Sequence, residues 1–333
     1  MSGRRITVYY AWSRPAETGA PLGVIENRFP TLFESRRMLY PRFEDYSDPA
    51  RYDQSVAGFL DHIMMRNFTE FVAQAADQTG NPVREFERVA DDGTLTPIGP
   101  KMLEATDTLI VISFDSLVSR QTADSAEVAA LRHFLADPDH LVCICPHHDI
   151  GETDDPSHDG RLHDQTADFL HHGDHTIPPQ QGFGGFARTM LAGLGVPVEN
   201  RFGLRPMAEP DGSPSPLDIN GPADRLHLLD GVATFNLHPH LPHFECLEHA
   251  GAKLDVLARQ RIDLTAPPHP FTQGGRDRLD ALLQSRPGTF KGTLLIGDAT
   301  LWSSTAGGTD SLRRFWRNVA GRAGAGGAAD APA

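Results

Sequence analysis

The chain has 333 residues, 16 histidines, three cysteines and a formal charge of −14, enough length for one large α/β domain or two smaller ones without disulfide staples. An acidic balance with no Lys/Arg cluster excludes a nucleic-acid surface, and no apolar run approaches the ~20 residues of a membrane span. Cys143, Cys145 and Cys246 are too few for a disulfide framework, and Met1 to Arg5 leads straight into a strand-like run without the apolar core of a signal peptide, so a cytoplasmic protein is expected.

Ile6 to Ala11 is the first expected strand, left at Trp12, Ser13, Arg14 and Pro15. Pro15, Pro21, Pro30, Pro41 and Pro49 then mark an irregular insertion over about 15–50. Between Tyr52 and Ala76, Val56, Phe59, Leu60, Ile63, Met64, Phe68, Phe71 and Val72 recur with helical period, and Gly80, Asn81 and Pro82 end the segment. A short strand is expected over 83–89 and a turn at Asp91, Asp92 and Gly93. Thr108 to Phe114 is an unbroken apolar run of the kind buried on both faces of a parallel sheet, ending in Asp115 and Ser116.

A helix over 122–136, with Val128, Leu131, Phe134 and Leu135 on one face and Thr122 or Asp124 as cap, feeds the apolar run Leu141 to Cys145. A helix feeding such a strand is a crossover unit, which makes the fold class α/β: a mostly parallel open sheet with helices on both faces and long loop insertions. Residues 152–182 carry acids, histidines and prolines without apolar period, and predict a long loop able to act as a lid. A helix from Phe186 to Leu194 closed by Gly195, a loop over 205–224, a strand from Gly231 to Leu237 and strands over 253–259 and 293–296 follow, with a helix at about 276–285 between the last two. Thr309 or Asp310 caps a helix through Val319. The organisation expected is a single domain over 1–319 with a disordered tail over 320–333, which is alanine, glycine and a few charges.

Eight of the histidines fall between His140 and His175, and five between His227 and His249. The strand over 141–145 breaks into Pro146, His147, His148 and Asp149, at the carboxyl edge where open parallel sheets bind ligands. The second cluster is His238-Pro239-His240-Leu241-Pro242-His243. An extended backbone there puts His238 and His240 on one side, whereas polyproline geometry pairs His240 with His243. Two or three imidazoles plus a carboxylate, with one position open, is what a catalytic Zn, Fe or Mn ion requires, and such an ion makes hydroxide available at neutral pH. The candidate ligands of a divalent metal are therefore His147, His148, Asp149, His238, His240 and His243. Asp298, Thr300, Ser303 and Ser304 leave the last strand on the same edge, either binding substrate and orienting a ligand or forming a loop and cap network. Asp115 is a comparable strand end, and Trp12, Arg14 and Arg188 are candidate walls.

Ile144-Cys145-Pro146-His147-His148-Asp149 resembles a degenerate form of the class I glutamine amidotransferase elbow, and Phe235 to His240 resembles that family's later strand ending in histidine, proline and glutamate. The resemblance extends over residues 6–319. It implies a flavodoxin-like, amidotransferase-like sheet with Cys145 at the nucleophile position and His238 at the base position. The glycines of the family's elbow are absent, Pro146 removes an amide hydrogen that would serve an oxyanion, and His240 stands where the glutamate belongs. Three of the replacements, His147, Asp149 and His240, are metal-capable, which points to a centre converted from thiol to metal chemistry.

The leading expectation is thus a metal-dependent hydrolase acting on an amide or other C–N bond of a small-molecule substrate, with Asp298 beside the catalytic group. Two other readings stand next to it: a thiol hydrolase or amidotransferase using Cys145 and His238, and a non-catalytic ligand-binding or assembly module. The oligomeric state leaves no mark in the sequence.

Overall fold

The first strand, β1 (Ile6–Ser13), is buried along its whole length, and its side chains divide by parity. Val8, Tyr10 and Trp12 enter one hydrophobic core, Tyr9 and Ala11 the other, because successive strand residues point to opposite faces. In this computed structural model, which describes residues 3–18, 65–115, 119–148, 157–172 and 183–323, β1 lies between β2 (Arg84–Val89) and β3 (Thr108–Ser113). β4 (Leu141–Pro146) and β10 (Thr293–Gly297) extend the sheet, and these five strands are parallel. Beyond β10 the sheet turns antiparallel through β9 (Arg278–Ser285), β8 (Leu254–Arg261) and the two-residue β6 (Asp218–Ile219). β5 (Val198–Leu204) and β7 (Leu241–Cys246) form a separate antiparallel ribbon.

Helices cover both faces, as expected for continuous apolar strands. On one face α2 (Thr69–Thr79) and α7 (Thr309–Gly321) bring Phe71, Leu312, Phe315 and Trp316 against the even-numbered residues of β1. On the other, α4 (Ser125–Phe134) and α6 (Gly185–Leu194) contribute Leu131, Phe134, Phe186 and Met190. Two shorter helices, α1 (Arg14–Thr18) and α3 (Pro100–Leu103), follow β1 and precede β3. Asp124 caps α4 in a reciprocal capping box with Glu127. Gly80 and Gly195 end α2 and α6 in the left-handed conformation. Among the described residues no helix is long and apolar enough to cross a membrane.

Four expectations are corrected. The segment at 276–285 is strand β9, not a helix: Leu279, Ala281, Leu282 and Leu283 are covered on both faces, and a short run buried on both sides has no period that separates the two. Gly231 to Leu237 forms no strand. Its amides bond elsewhere, Ala233 and Thr234 to the Ser311 hydroxyl and Leu237 to the Ala306 carbonyl, while Val232 and Phe235 supply core volume. The expected loop at 152–182 contains helix α5 (His158–His172), whose inward residues Gln165, Asp168, Phe169 and His171 are mostly polar and so carry no apolar period. Finally, α7 runs past Val319, and Arg322 behind it is buried with its guanidinium on Thr108 Oγ1 and the Asp107 and Asp139 carbonyls. Residues 19–64, which hold most of the insertion expected over about 15–50 and of the helix expected from Tyr52, and residues 324–333 lie outside the described residues.

Glu127 does more than cap. Its carboxylate meets the buried Arg88 guanidinium and accepts the Ile98 amide, while Arg88 also bonds Tyr9 Oη and the Thr122 carbonyl. Glu127→Ala is expected to cost about 3–5 kcal/mol in chemical denaturation, the cost of leaving one partner of a buried pair uncompensated. A loss below about 1 kcal/mol, the value for an exposed pair, would contradict that role.

Candidate functional site

Adjacent parallel strands β4 and β10 end side by side, with Ile144 paired to Ile296, so the residues just past each strand meet at the carboxyl edge. There His147 Nδ1 lies 2.8 Å from Asp298 Oδ2, with both side chains buried. The other carboxylate oxygen, Oδ1, accepts the Thr300 amide at 2.9 Å and the Thr300 hydroxyl. Asn236 Nδ2 donates to that hydroxyl at 2.9 Å, and Gln260 Nε2 donates to the Asn236 carbonyl. Burial alone would raise the Asp298 carboxyl, but His147, the Thr300 hydrogen bonds and His238 outweigh it and hold the pKa below the usual carboxylate range. An ionised carboxylate can only accept, so the His147 hydrogen sits on Nδ1 and a neutral ring turns the lone pair of Nε2 away from Asp298.

The backbone and ring face of His147 are held as well. Its carbonyl accepts from Asn200 Nδ2, and Asn200 Oδ1 accepts from Arg188 at 2.9 Å. Phe114, just past β3, stacks on the imidazole at 4.8 Å between centroids and 19° between planes. Gly184 lets this packing close: a Cβ there would come within 2.6 Å of Pro146 Cβ, at a φ of +79°.

Two further imidazoles pack against His147, and a third packs against those two. The His147 centroid is 4.4 Å from that of His148 and 4.9 Å from that of His238; His240 lies 5.1 Å from His148 and 5.5 Å from His238. His147 and His148 are buried, His238 and His240 half-buried. His238 Nδ1 accepts the His240 amide at 3.2 Å, so its hydrogen, when the ring is neutral, is on Nε2. The cluster therefore offers an oriented acceptor on His147 and a donor ring on His238.

The structure brings His147, His148, His238, His240 and Asp298 together. Asp149 lies outside the described residues. His243 is elsewhere: on β7, its Nδ1 accepts the Asp280 amide at 3.1 Å and its ring meets Phe271, with burial lowering its pKa. Trp12 and Arg14 bond Glu87 at the end of β2, while Arg188 supports the site through Asn200. Asp115 caps the turn into α6 by accepting the Phe186 amide, with its pKa pushed up to about 6 by burial.

Metal chemistry is the expectation that fails. Among the described residues no group of three or more His, Cys, Asp or Glu side chains could hold a metal ion, which removes the divalent Zn, Fe or Mn centre, the metal-dependent hydrolase reading and the metal-binding role given to His147, His148, His238, His240 and His243. The four rings pack edge to face, with interplanar angles of 78° to 88°.

Cys145 occupies no elbow. β4 stays in register through Pro146, paired with Ser113, and strand parity turns the Cys145 side chain into the first core. Its sulfur accepts the Trp302 indole hydrogen at 3.1 Å, and burial raises its pKa well above that of a free thiol. The expected lid is also tethered where it is described: in α5, His171 Nδ1 bonds the Pro267 carbonyl at 2.8 Å and Asp168 bonds His269. Residues 149–156 and 173–182 lie outside the described residues. Phe114, Asn200 and Asn236 are support that sequence reading missed; only Phe114, at a strand end beside Asp115, carried a signal. The chain matches no known family model and no curated protein.

Two outcomes check this site. Iodoacetamide should label half-buried Cys246 in the native protein, with Cys143 and Cys145 reacting only on unfolding; peptide mass spectrometry that finds Cys145 modified first would contradict its core placement. Because the folded pKa of Asp298 lies below its unfolded value, its pairing stabilises the fold above the unfolded carboxylate range and is lost as pH falls through the folded pKa. Asp298→Asn should therefore cost about 3–5 kcal/mol at pH 7 and much less near pH 2, as read by denaturation at both pH values.

Proposed function

We propose that the imidazole cluster at the carboxyl edge of the sheet binds a small protic molecule, that His147 accepts its proton, and that His238 donates a hydrogen bond to it. The observation that carries this reading is the buried His147–Asp298 pair. A carboxylate on Nδ1 fixes the tautomer, orients Nε2 and stabilises the imidazolium formed when that nitrogen takes a proton. The chemistry is acid–base at two imidazoles and uses neither the Cys145 thiol nor an ion. A small occupant is favoured because the two inner rings are buried and only His238 and His240 reach the rim. From the amidotransferase resemblance the reading retains the position of the site beyond parallel strands, where α/β sheets place ligands. A cytoplasmic setting belongs to the same proposal, since all three cysteines are free thiols.

Ligand-observed NMR against a set of small hydroxy acids and oxo acids tests it. Hits should weaken at least about tenfold in His147→Gln, a loss of ~1.4 kcal/mol, and stay unchanged in Cys145→Ala. Hits that bind His147→Gln as tightly as the parent protein would overturn the assignment.

A further inference from the structure

A cavity of about 600 Å³ opens at the amino ends of β3 and β4, the edge of the sheet opposite the imidazole cluster, and shares no lining residue with that cluster. Its volume falls in the range of small-molecule sites, about 300–1,000 Å³. Pro100 and Leu103 of α3 line it from one element, and Ala130 and Phe134 of α4 from another. Pro138 and His140 line it from the turn that leads into β4. Most of this surface is apolar and offers burial to an apolar group of the same size.

The walls are fixed by bonds that do not involve an occupant. His140 stacks on Phe134, with 3.8 Å between ring centroids and 10° between planes, and its Nδ1 lies 2.8 Å from the Phe134 carbonyl. A carbonyl only accepts, so that nitrogen carries a hydrogen, and a neutral ring keeps Nε2 as an acceptor. Behind α4 the Leu135 carbonyl accepts the Gly292 amide, and behind α3 the Thr106 hydroxyl bonds the Met102 carbonyl. Pro100 and Pro138 add fixed backbone angles to the lining. A ligand that enters such a preformed cavity spends little of its binding energy on ordering the protein.

Charge decides the ligand class. Glu104 and Asp137 line the cavity, and among the described residues neither carboxylate has an ion-pair partner. No lysine or arginine is among the lining residues. Arg4, Arg5, Arg132 and Arg322 come to this end of the sheet but are engaged elsewhere. Arg4 pairs with Asp139, Arg5 with Asp107 and the Glu104 carbonyl, Arg132 with the Gly193 carbonyl, and Arg322 with Thr108 and the Asp107 and Asp139 carbonyls. Lys101 of α3 is exposed and does not line the cavity. The C-terminal end of α4 adds partial negative charge from its aligned peptide dipoles. An ammonium suits the two carboxylates, the helix end and the His140 acceptor, and a ring suits Leu103, Ala130 and Phe134. We infer that this cavity is a ligand site distinct from the imidazole cluster, for a small organic cation: a primary amine carried on an aromatic ring system.

Titration of the full chain in low-salt buffer with tryptamine and 1-naphthylmethylamine, followed by ligand-observed NMR, tests the site. Tryptophol serves as the uncharged analogue of tryptamine, indole-3-propanoate as the anionic one, and butylamine as an ammonium without a ring. Both ring amines should bind saturably, with a Kd of about 1 mM or tighter, and each of the three analogues at least about fivefold more weakly than tryptamine. Glu104 and Asp137 are exposed, so a protein carrying Glu104→Gln and Asp137→Asn together keeps its fold. It should bind tryptamine about fivefold or more weakly and tryptophol within about twofold of the parent protein. Ala130→Leu, which fills part of the cavity, should weaken tryptamine and tryptophol alike. Asp211→Asn, which removes an exposed charge from the turn between β5 and β6, should leave tryptamine unchanged. The assignment is overturned if neither ring amine saturates, if any of the three analogues binds as tightly as tryptamine, or if the paired substitution or Ala130→Leu leaves tryptamine unchanged. A loss in Asp211→Asn as large as that of the paired substitution would equally overturn it, because the attraction would then belong to the acidic surface as a whole.

Discussion

The pair between His147 and Asp298 joins the ends of two neighbouring parallel strands, and the rest of the site depends on it. Burying an ionised carboxylate is costly unless its oxygens are satisfied. Here the satisfaction comes from three directions: the imidazole from β4, the Thr300 amide and hydroxyl from the turn after β10, and, through that hydroxyl, Asn236 from the segment before β7. The segment carrying His238 and His240 is thereby anchored to the sheet edge although it forms no strand of its own. A polar network of this kind specifies one arrangement, because leaving any member unpaired in a low-dielectric setting is expensive.

A second histidine–aspartate pair in the molecule, His269 with Asp168, shows why such a pair does not by itself define a site of chemistry. His269 has both ring nitrogens engaged, one by a carboxylate and one by a backbone amide, and so joins two elements without offering an open nitrogen. His147 has its carboxylate on Nδ1, no backbone amide on Nε2 among the described residues, and a ring packed against two other imidazoles. The two pairs share residue types and burial and differ in whether an amide engages the second nitrogen.

The parallel half of the sheet was legible in the sequence because its strands are buried on both faces and read as apolar runs bounded by polar ends: Ile6 to Ala11, Thr108 to Phe114, Leu141 to Cys145 and Thr293 to Ile296. The capping box at Asp124 and the glycine ends at Gly80 and Gly195 were local signals of the same kind. The antiparallel half was less legible, since β9 has the composition of a helix and the irregular Gly231 to Leu237 segment has that of a strand. Four of the six metal-ligand candidates do come together around Asp298. What sequence could not carry was the direction of their nitrogens: histidine spacing states which rings share an edge, while metal binding requires that their lone pairs converge. Cys145 illustrates the same limit, because a motif-like neighbourhood did not reveal that strand parity sends its side chain into the core.

The sheet's two outer strands have a consequence for how the protein behaves at high concentration. Along the described residues the sheet is bounded by β2 on one side and by β6 on the other. β2 carries Arg84, Glu85, Glu87 and Arg88 within six residues, and β6 is two residues long with Asp218 as one of them. Open backbone at a sheet margin is a template for pairing with another molecule, and margins that are short or densely charged resist it. The long apolar strands that would polymerise most readily, β3, β4 and β10, are all interior to this sheet, so strand-by-strand growth from its described margins would have to begin at the two strands least suited to it.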